Sequence, residues 1–232
     1  VDAILLPIVH VDEDDGGREI ARAPHVRLLR MGRGLYYEGR VHEVLKKRDG
    51  EPILYHERAA LSIRHVGYSS GRIRGKHLRN LALLQEEIVR YGMRPGDARY
   101  LADIFFGLGK YASALVYAHA ALEEKVRSRG AQSHLYHLLL NCMAQEECTV
   151  AEQISAARRA CEAFPLLPDF HGRLGLLCAA VGEHTEAMRE LTRAKELEAL
   201  PEDESGEASS FAQYAGAVVA ARARLLMEMG DF

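Results

Sequence analysis

His42 and Glu43 stand side by side in RGLYYEGRVHEVL (33–45), at the end of a short alternating segment. Imidazole and carboxylate are the side chains of proton transfer and metal ligation, so their placement is the first question the chain raises. Along a strand, neighbours point to opposite faces, and both groups serve one site only if the strand ends at Glu43. The plain alternative is a packed histidine beside a solvated carboxylate. Zinc-protease chemistry is excluded, because H-E-x-x-H would need histidine where the chain has Lys46.

Two kinds of element must position this pair. Residues 1 to about 70 read as strands and loops: AILLPIVHV, the acidic turn DEDDGG, PHVRLLRM, GLYYEGRVHEVL and ILYHERAALSIRHVGYSS. From Lys76 the period becomes helical, with Leu78, Leu81, Ala82, Leu84, Ile88 and Tyr91 on one stripe that Gly92 and Pro95 end.

A self-similar pattern follows. Leu101, Ala102, Phe105, Gly109, Ala114 and Ala121 recur 73 residues later as Leu174, Gly175, Cys178, Gly182, Ala187 and Ala194, with Tyr111 and Leu122 adding to the first copy and Leu191 to the second. Gly109 and Gly182 are 73 residues apart, two units of a helix-turn-helix repeat of about 34 residues. A degenerate copy fits between them, with Cys148 at the glycine position and Pro165 closing it. A partial copy begins near 209, with Gly230 at its turn.

These offsets resemble the tetratricopeptide repeat. The resemblance implies a curved stack of helix pairs whose concave face takes a protein or peptide. The fold expected is α+β and mostly α: a strand and hairpin region (1–75), then an antiparallel helical solenoid (76–232) with repeats at about 98–130, 131–165, 168–200 and 209–232. PEDESGEASS (201–210) reads as an inserted loop.

Reading outward from the His-Glu pair gives a second resemblance. PHVRLLRMGRGLYYEGRVHEVL followed by ALSIRHVGYSSGRIRGKHLRNLALL is similar to the C-terminal part of the catalytic domain in family 2 glycosyltransferases that carry tetratricopeptide repeats. The matching positions are Arg27 to Arg30, Tyr37, Gly39, Val41, His42, Glu43, Ile63, His65, Gly67, Tyr68, Lys76, Arg79 and Asn80.

The resemblance implies hexosyl transfer from a nucleotide-sugar donor. Such a reaction needs a carboxylate to take the acceptor proton, and cations or a metal to hold the leaving diphosphate. Glu43 is then the candidate base and His42 a metal or diphosphate contact. Arg27, Arg30, His65, Tyr68, Lys76 and Arg79 are candidates for binding the substrate's diphosphate. For Arg30, Lys76 and Arg79 the plain alternative is a solvated or salt-bridged surface, and for Gly67 and Tyr68 a turn and a packed ring.

The longer enzyme would use a divalent ion, Mg or Mn, whereas no tightly bound cofactor is expected in this chain. Asp12 to Asp14 mimic the Asp-x-Asp metal motif, but the resemblance puts that motif before Val1, and DEDDGG has the makings of a hairpin turn. The chain lacks an initial Met and stops soon after a Gly-Asp pair. It therefore reads as a fragment, inactive by itself, without the nucleotide-binding strands.

Other local matches fail. Gly32, Gly34 and Gly39 do not make a dinucleotide fingerprint, and neither Gly75-Lys76 nor Gly109-Lys110 has a P-loop glycine upstream. His134 and His137 share a helix face without a carboxylate nearby in sequence, which reads as surface.

Thirty Lys and Arg oppose 33 Asp and Glu, a formal charge of -3. That balance offers no electrostatic case for nucleic acid or an anionic membrane. The longest apolar run, AILLPIV, is too short to span a bilayer. The four cysteines form no C-x-x-C pair and read as reduced thiols of a cytoplasmic protein.

The leading expectation is thus a glycosyltransferase tail with repeats that bind acceptor or partner. The alternative is a non-catalytic interaction scaffold whose strand region caps the stack. Self-association is expected through the last helix, whose apolar face holds Val218, Leu225 and Leu226.

Overall fold

The computed structural model describes residues 1–41, 43–57, 61–124, 129–200 and 209–229. The chain divides into two compact units, Val1–Arg94 and Pro95–Phe232.

The first unit is built on β1 (Ala3–Asp12), the long apolar run. β2 (Arg18–Leu29) returns antiparallel along one edge. On the other edge two short strands lie parallel to β1, one beyond the other: β5 (Tyr55–Glu57) beside Ala3 to Leu5, and β6 (Ile63–His65) beside Ile8 to His10. A central strand flanked on both edges needs apolar residues, and Ala3, Leu6, Ile8 and Val11 are buried. Pro7 is tolerated there because it faces Pro24 on one side and falls between the β5 and β6 ladders on the other.

β3 (Leu35–Glu38) and β4 (Val44–Lys47) form a separate antiparallel hairpin. The unit ends in α1 (Ser70–Tyr91). This helix starts six residues before the periodic stripe, because Gly71 and Gly75 hide its first turns from a pattern reading.

The acidic turn caps α1. Asp14 Oδ2 accepts the Gly71 N–H at 2.7 Å, and Ser69 Oγ accepts the Glu13 N–H at 3.1 Å. Asp12 Oδ1 accepts the Asp14 N–H, closing the turn on itself. A carboxylate at a helix N-terminus is favoured by the helix dipole. Asp12 and Asp14 are therefore a hairpin turn and a helix cap, and the metal-motif alternative is set aside.

The second unit is a stack of helix pairs: α2 (Asp97–Gly107) with α3 (Tyr111–Glu123), α4 (Arg129–Gln145) with α5 (Val150–Ala163), and α6 (Pro168–Ala180) with α7 (His184–Glu198). A 3₁₀ turn (Phe211–Gln213) and α8 (Ala215–Met229) follow. Among the described residues, no strand interrupts 98–195. Ala114 and Ala187 are fully buried at the pair crossings, as close packing of helices requires. At Gly175 an added Cβ would meet Leu191 Cγ at 2.7 Å.

The inter-helix turns share one geometry. Gly109 and Gly182 are left-handed, at φ 71° and 78°. The N–H after each glycine bonds back to the carbonyl of Phe105 or Cys178. This is the two-bond helix stop that favours glycine.

In the degenerate copy, Cys148 N–H makes the same bond to Met143, so the left-handed residue is Glu147 (φ 51°), not Cys148. The turn is one residue longer there. The added Thr149 caps α5 in a reciprocal box with Glu152.

Of the apolar residues expected to be exposed on α8, Val218 and Leu225 are instead buried, with α8 packed against α6 and α7, while Leu226 is half-buried. Residues 201–208 of the expected inserted loop, and Gly230, lie outside the described residues. All four cysteines carry free thiols. Burial raises Cys142 to about 11 and Cys161 and Cys178 to about 12, which keeps these thiols protonated at neutral pH while no cation binds them. Among the described residues no helix is long and apolar enough to cross a membrane.

Candidate functional site

The edge where β6 joins β1 gathers three histidines. The parallel register sets His10 opposite His65, and their Nδ1 atoms are 3.0 Å apart. His25 on β2 lies edge-on to His10, ring centroids 6.0 Å apart. Tyr68 stands edge-on to His10 at 4.8 Å and near His65 at 5.6 Å. Lys76, two turns into α1, sets its Nζ over the Tyr68 ring at 3.3 Å from the centroid.

Local irregularities aim these groups. The β1–β2 ladder shifts register at His10/Val11, and again at Ile4/Leu5, where Arg27 is the extra residue on β2. Bulges of this kind redirect a side chain and recur beside functional sites. Gly67 has a steric reason: a Cβ there would meet His65 Cε1 at 2.5 Å.

The charge state follows from the packing. Burial, then the neighbouring imidazoles and the Lys76 and Arg27 charges, holds His10 below the usual imidazole range. Burial and Arg27 do the same to His25, and burial with Lys76 and Arg27 to His65. The short His10–His65 contact agrees, since it needs one Nδ1 protonated and the other bare. At neutral pH the cluster is neutral imidazoles flanked by two fixed cations, an arrangement that donates hydrogen bonds to an anion.

Glu43 is exposed immediately before β4. It shares a groove of about 460 Å³ with His25, Arg27, Tyr37 and Tyr55. His25 and Arg27 thus belong to both the groove and the histidine cluster. A larger groove of about 730 Å³ lies between Gly39–Arg40 and α1, but Arg40 and Glu86 pair across it and leave no converging chemistry.

Of the residues singled out from sequence, the structure brings together Glu43 and Arg27 in the groove, and His65, Tyr68 and Lys76 in the cluster. It does not bring in Arg30, exposed past the end of β2, nor Arg79, whose guanidinium bonds to its neighbour Asn80. His42 lies outside the described residues. His10 and His25 were missed; the available signal was a histidine inside an apolar strand and another beside Arg27.

The described residues of the strand unit supply imidazoles, not the oxygen cage that Mg or Mn prefers. The described groups with three converging metal donors lie in the helical unit.

In that unit, polar pairs join the first helices of successive pairs. His134 bonds Asp103 at 2.6 Å, which raises its pKa, and Arg173 donates to Asn141 and to the Leu140 carbonyl. His137 lies on the Phe170 ring and 3.8 Å from Asp169. The carboxylates beside His134 and His137, Asp103 and Asp169, come from other helices.

No protein-family profile and no curated protein matches this chain. Solved structures do resemble it. YrrB, described as a TPR protein with an unusual peptide-binding site, superposes with a TM-score of 0.51 at 12% identity, covering 68% of this chain and 71% of that one. MamA of AMB-1 gives 0.50 at 17% identity, covering 67% and 75%. The fold is thus a tetratricopeptide-type helical repeat. Neither likeness shows a glycosyltransferase domain.

Proposed function

We propose that the helical unit is a scaffold that binds an extended segment of a partner protein. The observation that carries this is the row of first helices α2, α4 and α6, cross-linked by Asp103–His134 and Asn141–Arg173. A continuous face of fixed polar groups is what an extended peptide can bond along. YrrB, similar in fold, is described as binding peptide. Peptides selected by display on the full chain should then bind saturably in fluorescence anisotropy and raise its melting midpoint. Selection that yields no saturable binder ends this reading.

For the strand unit a second reading is favoured by one observation, the convergence of His10, His65, Tyr68 and Lys76 next to the groove that holds Glu43. We infer that this unit is the C-terminal part of the catalytic domain of a cytoplasmic family 2-type glycosyltransferase, with the helical unit selecting the acceptor. The cluster suits the diphosphate of a nucleotide sugar. A Mg or Mn ion, with carboxylate ligands from the donor half, belongs to the same reading.

The test uses a longer chain that includes an upstream apolar strand ending in Asp-x-Asp, about 50 to 90 residues before Val1. Lys76→Met in that chain should raise the KM for the nucleotide sugar. The absence of any such upstream strand would end the transferase reading and leave the scaffold.

A further inference from the structure

A cluster in the helical unit combines three different metal-binding side chains and has no part in the reading above. Cys161 lies in the last turn of α5, His171 near the start of α6, and Glu190 midway along α7. One donor atom from each lies within 4.8 Å of the other two. Glu190 is only 8% exposed, and its two oxygens are held by His171 and Arg189.

The hydrogen bonds around the cluster define what it lacks. His171 Nε2 is 3.2 Å from the Pro165 carbonyl, which can only accept, so Nε2 carries a proton. Nδ1 is 2.7 Å from Glu190 Oε2. In the neutral ring that would set one lone pair against another. The contact needs a proton between the two atoms, on Nδ1 or on Oε2, or a metal ion in its place. Arg189 Nε meanwhile donates to Glu190 Oε1 at 2.9 Å and turns Oε2 toward the imidazole. A backbone carbonyl fixing the histidine tautomer and a donor fixing the carboxylate are the outer contacts that orient ligands in metal sites.

We propose that Cys161, His171 and Glu190 form a three-ligand site for a zinc-class divalent ion. Thiolate with imidazole selects zinc or cobalt over magnesium and calcium, which prefer oxygen. Three protein ligands leave one position for water or a partner's side chain. On binding, the Sγ–H bond is exchanged for an Sγ–metal bond and the proton passes to solvent. The second donor group, Cys178 with Glu183 and Glu186, has no imidazole, and Arg158 lies between its two carboxylates, 2.6 Å from Glu186 and 3.4 Å from Glu183.

The test is a Co²⁺ titration of the reduced, metal-free full chain. The expected result is a thiolate-to-cobalt charge-transfer band that saturates at one ion per chain and is bleached by Zn²⁺. Cys161→Ser should abolish it, and His171→Gln should weaken binding at least about tenfold, the least that even an outer contact contributes. Cys178→Ser should leave it unchanged. Absence of the band in the native chain, or its survival in Cys161→Ser, overturns the proposal. If Cys161→Ser does not fold, X-ray absorption on the zinc-loaded native chain decides. One sulfur with nitrogen and oxygen neighbours supports the site, and a shell without sulfur overturns it.

Discussion

His10 and His65 face each other Nδ1 to Nδ1 at 3.0 Å, across a ladder whose two strands are 55 residues apart in sequence. Two imidazolium rings cannot hold that contact. Both groups, with His25, have pKa values below the ordinary 6.5 in the folded chain, first through burial. The unfolded chain therefore takes up protons first as the solution is acidified. Stability from this cluster is fully present above about pH 6.5 and is lost as pH falls through the lower folded values. Denaturation measured across that range should show an acid limb that His10→Gln flattens. An unchanged limb would mean the rings are solvated and apart.

An anion in the cluster reverses the sign, because it favours the protonated rings. Inorganic pyrophosphate should therefore bind the full chain more tightly at pH 5.5 than at 7.5, about the span over which an ordinary histidine titrates. Calorimetric titration at the two values checks this, with Lys76→Met weakening both. Equal affinity at the two pH values would show that the histidines do not face the ligand.

Gly67→Ala should cost about 1–3 kcal/mol, the usual penalty of overpacking. The added Cβ meets the His65 ring at 2.5 Å, and Gly67 has an ordinary negative φ, so no backbone strain confuses the result. In an unhindered turn the same change stabilises by cutting unfolded-state freedom. A rise in melting midpoint would place the His65 ring elsewhere.

Glu147→Gly should stabilise by about 0.5–1 kcal/mol. Glu147 is the described non-glycine residue with positive φ, at 51°, where the other repeats use Gly109 and Gly182. A left-handed residue with a side chain costs about 1–2 kcal/mol, and glycine's greater unfolded freedom returns part of that. Chemical denaturation of the single variant is sufficient. Destabilisation would mean the Glu147 side chain makes a contact worth more than the strain.

The contrast between Glu147 and its neighbour shows what could be read from sequence alone. Helix breaks at Gly92–Pro95, Gly109, Pro165–Pro168 and Gly182 were legible, because glycine and proline act locally on the backbone. The degenerate turn was misplaced by one residue, since Cys148 aligns by offset to α5 while Glu147 takes the strained angle. His10 and His25 escaped notice for a different reason. Each looks like a strand residue, and only the parallel pairing of β1 with β6 and the bulges in β2 bring them to Tyr68 and Lys76. Long-range register carries no local signal. Arg30 and Arg79 fail for the converse reason: a cation at a matching position is equally stable facing solvent.

Asp169 offers a test in the helical unit. It is 1% exposed at the start of α6 and accepts from Ser209 Oγ, Ser210 N–H and Ser210 Oγ at 2.5, 2.8 and 2.7 Å. Burial, with the Asp169 charge, also pushes the Tyr214 phenol well above its ordinary range. Asp169→Asn removes the charge that these donors answer, and should cost about 1.5–3 kcal/mol, the worth of a hydrogen bond to a charged group. It should also increase proteolysis around residues 209–214, because the two serines anchor that segment to α6. Cleavage at the native rate would mean the anchor lies elsewhere.

Glu43 is the most exacting case, because the proposed transferase chemistry depends on it. It is exposed, shares its groove with Arg27 and His25, and immediately precedes β4. At the end of a loop the strict alternation of a strand no longer separates neighbouring side chains. If it takes the acceptor proton, Glu43→Gln in a chain with the donor-binding half should lower turnover about 10²- to 10⁴-fold, the usual contribution of a general base. The KM for the nucleotide sugar should change little, since the amide keeps the shape and Lys76 and Arg27 keep their charges. His65→Gln should do the reverse and raise that KM. Near-normal turnover in Glu43→Gln, with folding intact, would remove Glu43 from the reaction and leave the groove as a docking surface only.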